Sequence, residues 1–243
     1  MGVFRLVLGS ACDGTEFSGF SGCCGSWQPK PKPKITSARI IASDEDMKPP
    51  NVTLDNNCII DLEKNREDAP QIRRLIQMHH NKEINLRVVA ISASELKQDK
   101  QTHPQNFGEF VQRIQSAGLG RVEILPTLAR FDLSFFGDYF GYSGRWQEEL
   151  EKEIQTVLFS EDEVEYCDFC RKYHCDEVAK EKWDEWVRRK CDVLTLWSHI
   201  WHNGDILVTR DRDFLEQMKK PKLRELGAGK ILTPTEAVEI LDC

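Results

Sequence analysis

The chain has 243 residues, 40% of them apolar and 30% charged, with a formal net charge of -7. That length suits one large domain or two small ones with a real core, and the negative balance excludes a global basic field that would draw the chain to nucleic acid. No apolar run approaches membrane-spanning length, and the opening MGVFRLVLGSAC is too short and too interrupted by Arg5 for a secretory signal, so a cytoplasmic protein is expected.

Nine cysteines, an odd number, then imply mostly reduced thiols rather than a disulfide framework. Residues 1–50 form an expected flexible arm, rich in Gly, Ser and Pro, with one short element around Ile35 to Ala42. Lys30, Lys32 and Lys34 could touch an RNA backbone there, or the segment is a plain linker. Cys23 and Cys24 are either reactive or incidental.

The ordered domain is expected over 51–243. Val52 to Leu54 read as a short strand closed by Asp55. Helical spacing follows at Ile59, Ile60 and Leu62, then at Ile72, Leu75 and Ile76. INLRVVAIS is a second strand, and SASELKQ a helix start in which Ser92 caps with Glu95 three residues on. NFGEFVQRIQSAGLG is an amphipathic helix closed by Gly118 and Gly120. VEILPT gives a third strand, DILVTRD a fourth, and Lys230 to Leu232 a fifth. Thr233 then caps a last helix, with Pro234 first and Glu236 third. Strands alternating with helices imply a parallel sheet in a three-layer α/β/α sandwich.

Residues from about 127 to 180 are too long for a loop of such a fold and read as a helical or irregular insertion. Phe135, Phe136, Tyr139, Phe140 and Tyr142 there could stack bases, or pack the insertion onto the domain. Cys167, Cys170, His174 and Cys175 offer a Cys-x-x-Cys spacing. Either Cys167, Cys170 and His174 help hold a structural zinc ion, or they simply share a helix face.

The stretch DILVTRDRDF ends a buried strand on packed opposite charges. Acids at the carboxyl end of a parallel strand are placed to meet a ligand at the topological switch point. Asp55 closes the first strand, Glu95 follows the second, and Asp211 and Asp213 follow the fourth. Asp192 lies beside the apolar stripe of a Trp-rich helix, with Thr195 and His199 on its face. Two carboxylates about 5 Å apart repel by roughly 3 kcal/mol at an effective dielectric near 20. Four together must either take up protons or hold cations, and their hard oxygens select Mg²⁺ or Mn²⁺, as one or two ions.

VTLDNNCIIDL, AISASEL, CDVLTLWSHIWHNGDILVTRDRDFL and GKILTPTEAVEIL occur in the order and style of the PIN domain. The resemblance runs from about Asn51 to Leu241, interrupted by the insertion. It implies an α/β/α fold and a metal-dependent endoribonuclease. On this likeness Asp55, Glu95, Asp192 and Asp211 hold the metal, Asp213 assists, and Thr209 orients a ligand or water. Asn57 matches the Asn two places after the first acid and implies a backbone tie. Cleavage leaving 5′-phosphate and 3′-hydroxyl ends is implied by the likeness alone. The family usually has Thr or Ser between the first acid and that Asn, where this chain has Asn56.

Each residue also has a plainer reading. Asp55 could cap a helix, Asp192 could pair with Arg188, and Asp213 could cap the helix near Phe214. Glu95 fits a capping box. His199 and His202 could move protons or edge the core. Arg188, Arg189, Lys190, Arg210 and Arg212 could hold flanking phosphates, or be solvated charge. RNA is the expected partner, with no membrane, and a homo-oligomer or protein regulator stays open. A PIN-like module that binds RNA or protein without cutting is the alternative. A haloacid-dehalogenase-like phosphatase would need Asp-x-Asp where the chain reads Asp55-Asn56-Asn57.

Overall fold

The structure, a computed structural model, describes residues 48–95, 106–130, 133–134, 139–141, 145–159, 169, 171 and 180–242. The chain divides into two units, Met1–Lys48 and Pro49–Cys243, and every described residue but Lys48 belongs to the second. The expected arm lies outside the described residues, apart from its last three positions. So do Cys167, Cys170, His174 and Cys175, and the aromatics Phe135, Phe136 and Tyr142.

Seven strands form among the described residues: β1 (Asn51–Leu54), β2 (Asn85–Val89), β3 (Glu123–Leu125), β4 (Thr127–Leu128), β5 (Phe140–Gly141), β6 (Ile206–Val208) and β7 (Lys230–Leu232). Five make one parallel sheet in the order β3-β2-β1-β6-β7, and β4 pairs with β5 separately. The chain therefore builds outward from β1 to one edge, returns, and builds from β6 to the other. The reversal falls between β1 and β6, where Leu54 stands opposite Val208. Ligands of open parallel sheets bind beyond the carboxyl ends of such a pair.

Eight helices flank the sheet among the described residues: α1 (Asn56–Lys64), α2 (Ala69–His80), α3 (Phe107–Ile114), α4 (Arg145–Phe159), α5 (Lys180–Trp201), α6 (Arg212–Leu215), α7 (Lys220–Glu225) and α8 (Pro234–Leu241). One side of the sheet, through Leu54, Val88 and Val208, packs on Ile59, Leu75, Phe110 and Ala237. The other, through Val89, Leu207 and Ile231, packs on Ile154, Leu158, Leu194 and Trp197. With both faces covered, the strands are nearly continuous apolar runs, as parallel sheets require. No helix among the described residues is long and apolar enough to cross a membrane.

Local chemistry explains most boundaries. Asp55 caps α1 by accepting from the Asn56 backbone. Thr233 and Glu236 close a reciprocal capping box on α8. α3 runs into a π-helical turn, Gln115–Leu119, in which Gly118 takes the left-handed backbone at φ 85°. One expectation needs correction. Ser92 does not cap a helix: it lies inside a short 3-10 turn, Ala90–Ala93, and its buried hydroxyl has no hydrogen-bond partner. Within the insertion, α4 supplies fifteen residues of helix.

α4 holds α5 in place. Trp197 Nε1 donates to the Gln147 carbonyl at 3.1 Å. The buried Glu151 carboxylate pairs with Lys190 Nζ at 2.9 Å and with the Arg130 guanidinium. Burial of both Glu151 and Lys190 demands that pairing, since an isolated charge there would be several kcal/mol less favourable. The insertion thereby braces the helix that carries Asp192.

Candidate functional site

The strand ladder carries on past β1 and β6 and delivers two side chains to one spot. Asp55 N donates to the Val208 carbonyl at 3.0 Å, and Thr209 N to the Leu232 carbonyl at 3.0 Å. Thr209 Oγ1 then donates to Asp55 Oδ2 at 2.6 Å. The same hydroxyl accepts from Asn57 Nδ2 at 3.0 Å and from the Asp211 backbone N–H at 2.9 Å. Thr209 thus ties the first acid to the acid after β6, and Thr209 and Asp55 are buried.

Asn57 Nδ2 also donates to Asp55 Oδ2, at 2.5 Å, and its Oδ1 accepts from the Arg210 backbone at 3.2 Å. The expected backbone tie is present. Asp211 caps α6, its Oδ1 accepting from Asp213 N at 2.8 Å. Capping has passed from Asp213, one of the plainer readings, to Asp211. Asp213 turns to Lys219, whose Nζ lies 3.0 Å from its Oδ1.

Glu95 arrives from beyond β2 and accepts from Asn56 Nδ2 at 2.6 Å. Asp192 comes from the middle of α5, half-buried. Electrostatics show that the four acids share one region. Burial pushes Asp55 up to about 6, and the charge of Asp211 adds to the rise against the hydrogen bonds of Thr209, Asn56 and Asn57. Burial raises Glu95 to about 8, with Asp55 and Asp211 contributing. Asp192 lies well above the carboxylate range through burial first, then through Asp211, Asp55 and Glu95. Asp55, Glu95 and Asp192 are hard to ionise because they are buried and because acidic neighbours stand near them.

A cavity of about 430 Å³ opens at this end of the sheet, lined by Phe159, Arg188, Arg189, Asp192, Arg210, Asp211, Arg212 and Asp213. Acids and arginines share its wall, and Phe159 is the contribution of the insertion. Arg188 and Arg212 are exposed. Arg189 pairs with Glu185 at 2.8 Å and lies over the Phe159 ring, 5.5 Å from its centroid. Arg210 is engaged elsewhere: its guanidinium pairs with buried Asp61 and reaches Asp68 at 3.6 Å. Its side chain braces α1, a use that local sequence does not reveal.

The histidines take structural bonds. His199 is buried between Thr53 Oγ1 at 2.8 Å and the Ala228 carbonyl at 3.0 Å, and burial lowers its pKa to about 4. Gly204 makes room for that ring, since a Cβ at Gly204 would stand 2.1 Å from His199 Nδ1. His202 Nε2 contacts the Pro126 carbonyl at 3.1 Å.

Whether this donor set fits a cation is a question of its chemistry. Among the described residues no three His, Cys, Asp or Glu side chains are placed as a ready-made cation cage. The four carboxylates nonetheless offer only hard oxygen and repel one another, which a divalent ion would relieve. The donor chemistry fits Mg²⁺ or Mn²⁺. Sequence reasoning missed Asn56 and Arg113, whose side chains meet at 3.1 Å behind Glu95. No family model matches the chain, and no curated protein matches it.

Proposed function

We propose that the protein is a PIN-like, divalent-metal-dependent endoribonuclease that hydrolyses single-stranded RNA in a cytoplasmic setting. One observation supports this most: Asp55, Glu95 and Asp192, from three separate elements, each feel the charge of Asp211 at the sheet's reversal point, and burial together with their acidic neighbours raises the proton affinity of all three. Those four residues would hold one or two Mg²⁺ or Mn²⁺ ions. Bound there, such an ion would supply positive charge beside the scissile phosphate and would make a water more acidic.

The chain's own residues do the rest. Thr209 and Asn57 fix the Asp55 carboxylate by two hydrogen bonds to one oxygen, so it need not reorganise when phosphate arrives. The Thr209–Asp211 bond keeps the second acid in register with the first. Arg188 and Arg212 line the cavity and suit flanking phosphates, which position a strand without reading its sequence. Asp213 stands beside them as an assisting acid, its charge moderated by Lys219.

The test is incubation of purified protein with a mixed RNA pool, with Mn²⁺ or with EDTA, beside Asp55→Asn and Asp211→Asn. The proposal expects Mn²⁺-dependent cleavage lost in both variants. The rival reading, a module that binds RNA without cutting, draws on the arginines around the cavity. Tight RNA binding that EDTA leaves untouched, with no cleavage, would favour it.

A further inference from the structure

Glu95 follows a short 3-10 turn and precedes no described element that would hold its side chain. What holds it is Asn56, thirty-nine residues earlier, through the 2.6 Å bond from Nδ2 to Glu95 Oε2. Asn56 is 1% exposed, and its other amide atom is also committed. Oδ1 accepts from Arg113 Nη1 at 3.1 Å. Arg113, on α3, is gripped in turn by Glu63 of α1, with Nε to Oε1 at 2.5 Å and Nη2 to Oε2 at 3.1 Å.

Donor chemistry gives this chain a direction. A guanidinium has only donors, so it can face only the carbonyl end of the Asn56 amide. The NH₂ end must then face Glu95, which accepts. The bidentate Arg113–Glu63 pair is planar and fixes the guanidinium, and so which way round the amide sits. A hydroxyl residue at position 56 would have one oxygen for both tasks. The amide separates donor from acceptor and spans from α3 to the acid.

We infer that Asn56 is the positioning residue for Glu95, and that Arg113, held by Glu63, sets the orientation of the Asn56 amide. The inference rests on the metal-site reading for its functional consequence, but not for its structural one. Groups that orient ligating residues typically cost about 10–100-fold in metal affinity when removed.

The experiment combines Mn²⁺ titration, followed by electron paramagnetic resonance, with crystal structures of the metal-free proteins. The variants are Asn56→Leu, Arg113→Met and the pair together, each with its thermal midpoint recorded. Asn56→Leu should weaken Mn²⁺ binding about tenfold and let Glu95 leave its place in the crystal. Arg113→Met should weaken binding less, and the double variant should match Asn56→Leu alone, because Arg113 acts through the amide. Arg113→Lys, with no planar fork, should not restore the wild-type affinity. Glu95 unmoved in Asn56→Leu, with Mn²⁺ affinity at the wild-type value, would overturn the inference. So would Arg113→Met and Asn56→Leu losses that simply add. If wild-type protein takes up no Mn²⁺, the metal reading fails instead, and Glu95 in the two crystal structures still decides the role of Asn56.

Discussion

Thr209 and Asp55 are joined by a 2.6 Å hydrogen bond across the seam between β1 and β6. The two residues are 154 positions apart in sequence, and the bond exists only once the parallel pair has formed. It couples correct strand pairing to the geometry of the proposed site.

Removing that donor should therefore show up in stability as well as in function. Thr209→Val keeps the shape and deletes the hydroxyl, leaving Asp55 and the Asp211 N–H each short of a partner. A loss of about 1–3 kcal/mol is expected in urea unfolding. Thr209→Ser, which keeps the oxygen, should lose less than half as much. Equal losses in the two variants would show that methyl packing, not the hydroxyl, matters at this position.

The acids make a pH prediction whose sign is fixed. Asp55 rises from 3.8 to about 6 and Glu95 from 4.5 to about 8 in the folded protein. The folded state then holds protons that the unfolded chain releases. This contribution is full below the unfolded values and is lost as pH rises through about 6 for Asp55 and about 8 for Glu95. In EDTA, the stability of wild type relative to Glu95→Gln should decline steadily between pH 4.5 and 8. A flat difference over that range, measured by denaturant titration, would contradict the electrostatic picture of the site.

His199 contributes the opposite limb. Its pKa falls from 6.5 to about 4 because burial disfavours the charged ring. Stability from the neutral ring is full above 6.5 and is lost as pH drops towards 4. The full difference is roughly 3 kcal/mol at 1.36 kcal/mol per unit. His199→Gln should flatten this acid limb, measured as the difference from wild type. An acid limb unchanged in the variant would mean that another group titrates there.

The buried triad of Glu151, Lys190 and Arg130 gives a prediction for the insertion. Lys190→Met strips one partner from a carboxylate with no exposure of its own. The expected loss is about 3–5 kcal/mol, with Arg130 keeping it near the lower end. Because Asp192 is two residues on, the proposed RNA cleavage should fall more than the lost folded fraction explains. Cleavage that tracks the folded fraction alone would make the brace purely structural.

Much of this arrangement is legible in sequence where the signal is local. Asp55 at the end of VTL, Thr209 and Asp211 at the end of ILV, and the Thr233–Glu236 box each follow from a strand stop or a cap. All five strands of the main sheet are where apolar runs place them. What is not legible is side-chain partnership over distance. Arg210 sits beside Asp211 in sequence and looks like a phosphate ligand, yet Asp61 and Asp68 claim it. Asn56 reads as a departure from a family pattern until Glu95 and Arg113 are brought beside it. Ser92 has the spacing of a cap, but it is buried inside a 3-10 turn, which overrides that local preference.

The most direct measurement is Mn²⁺ binding to purified, RNA-free protein by electron paramagnetic resonance, beside an Asp192→Asn/Asp211→Asn variant shown to be folded. Wild type is expected to take up one or two ions that the variant does not. Wild-type protein that leaves Mn²⁺ free in solution, or a variant that binds it equally well, would contradict the claim that these carboxylates form a cation site.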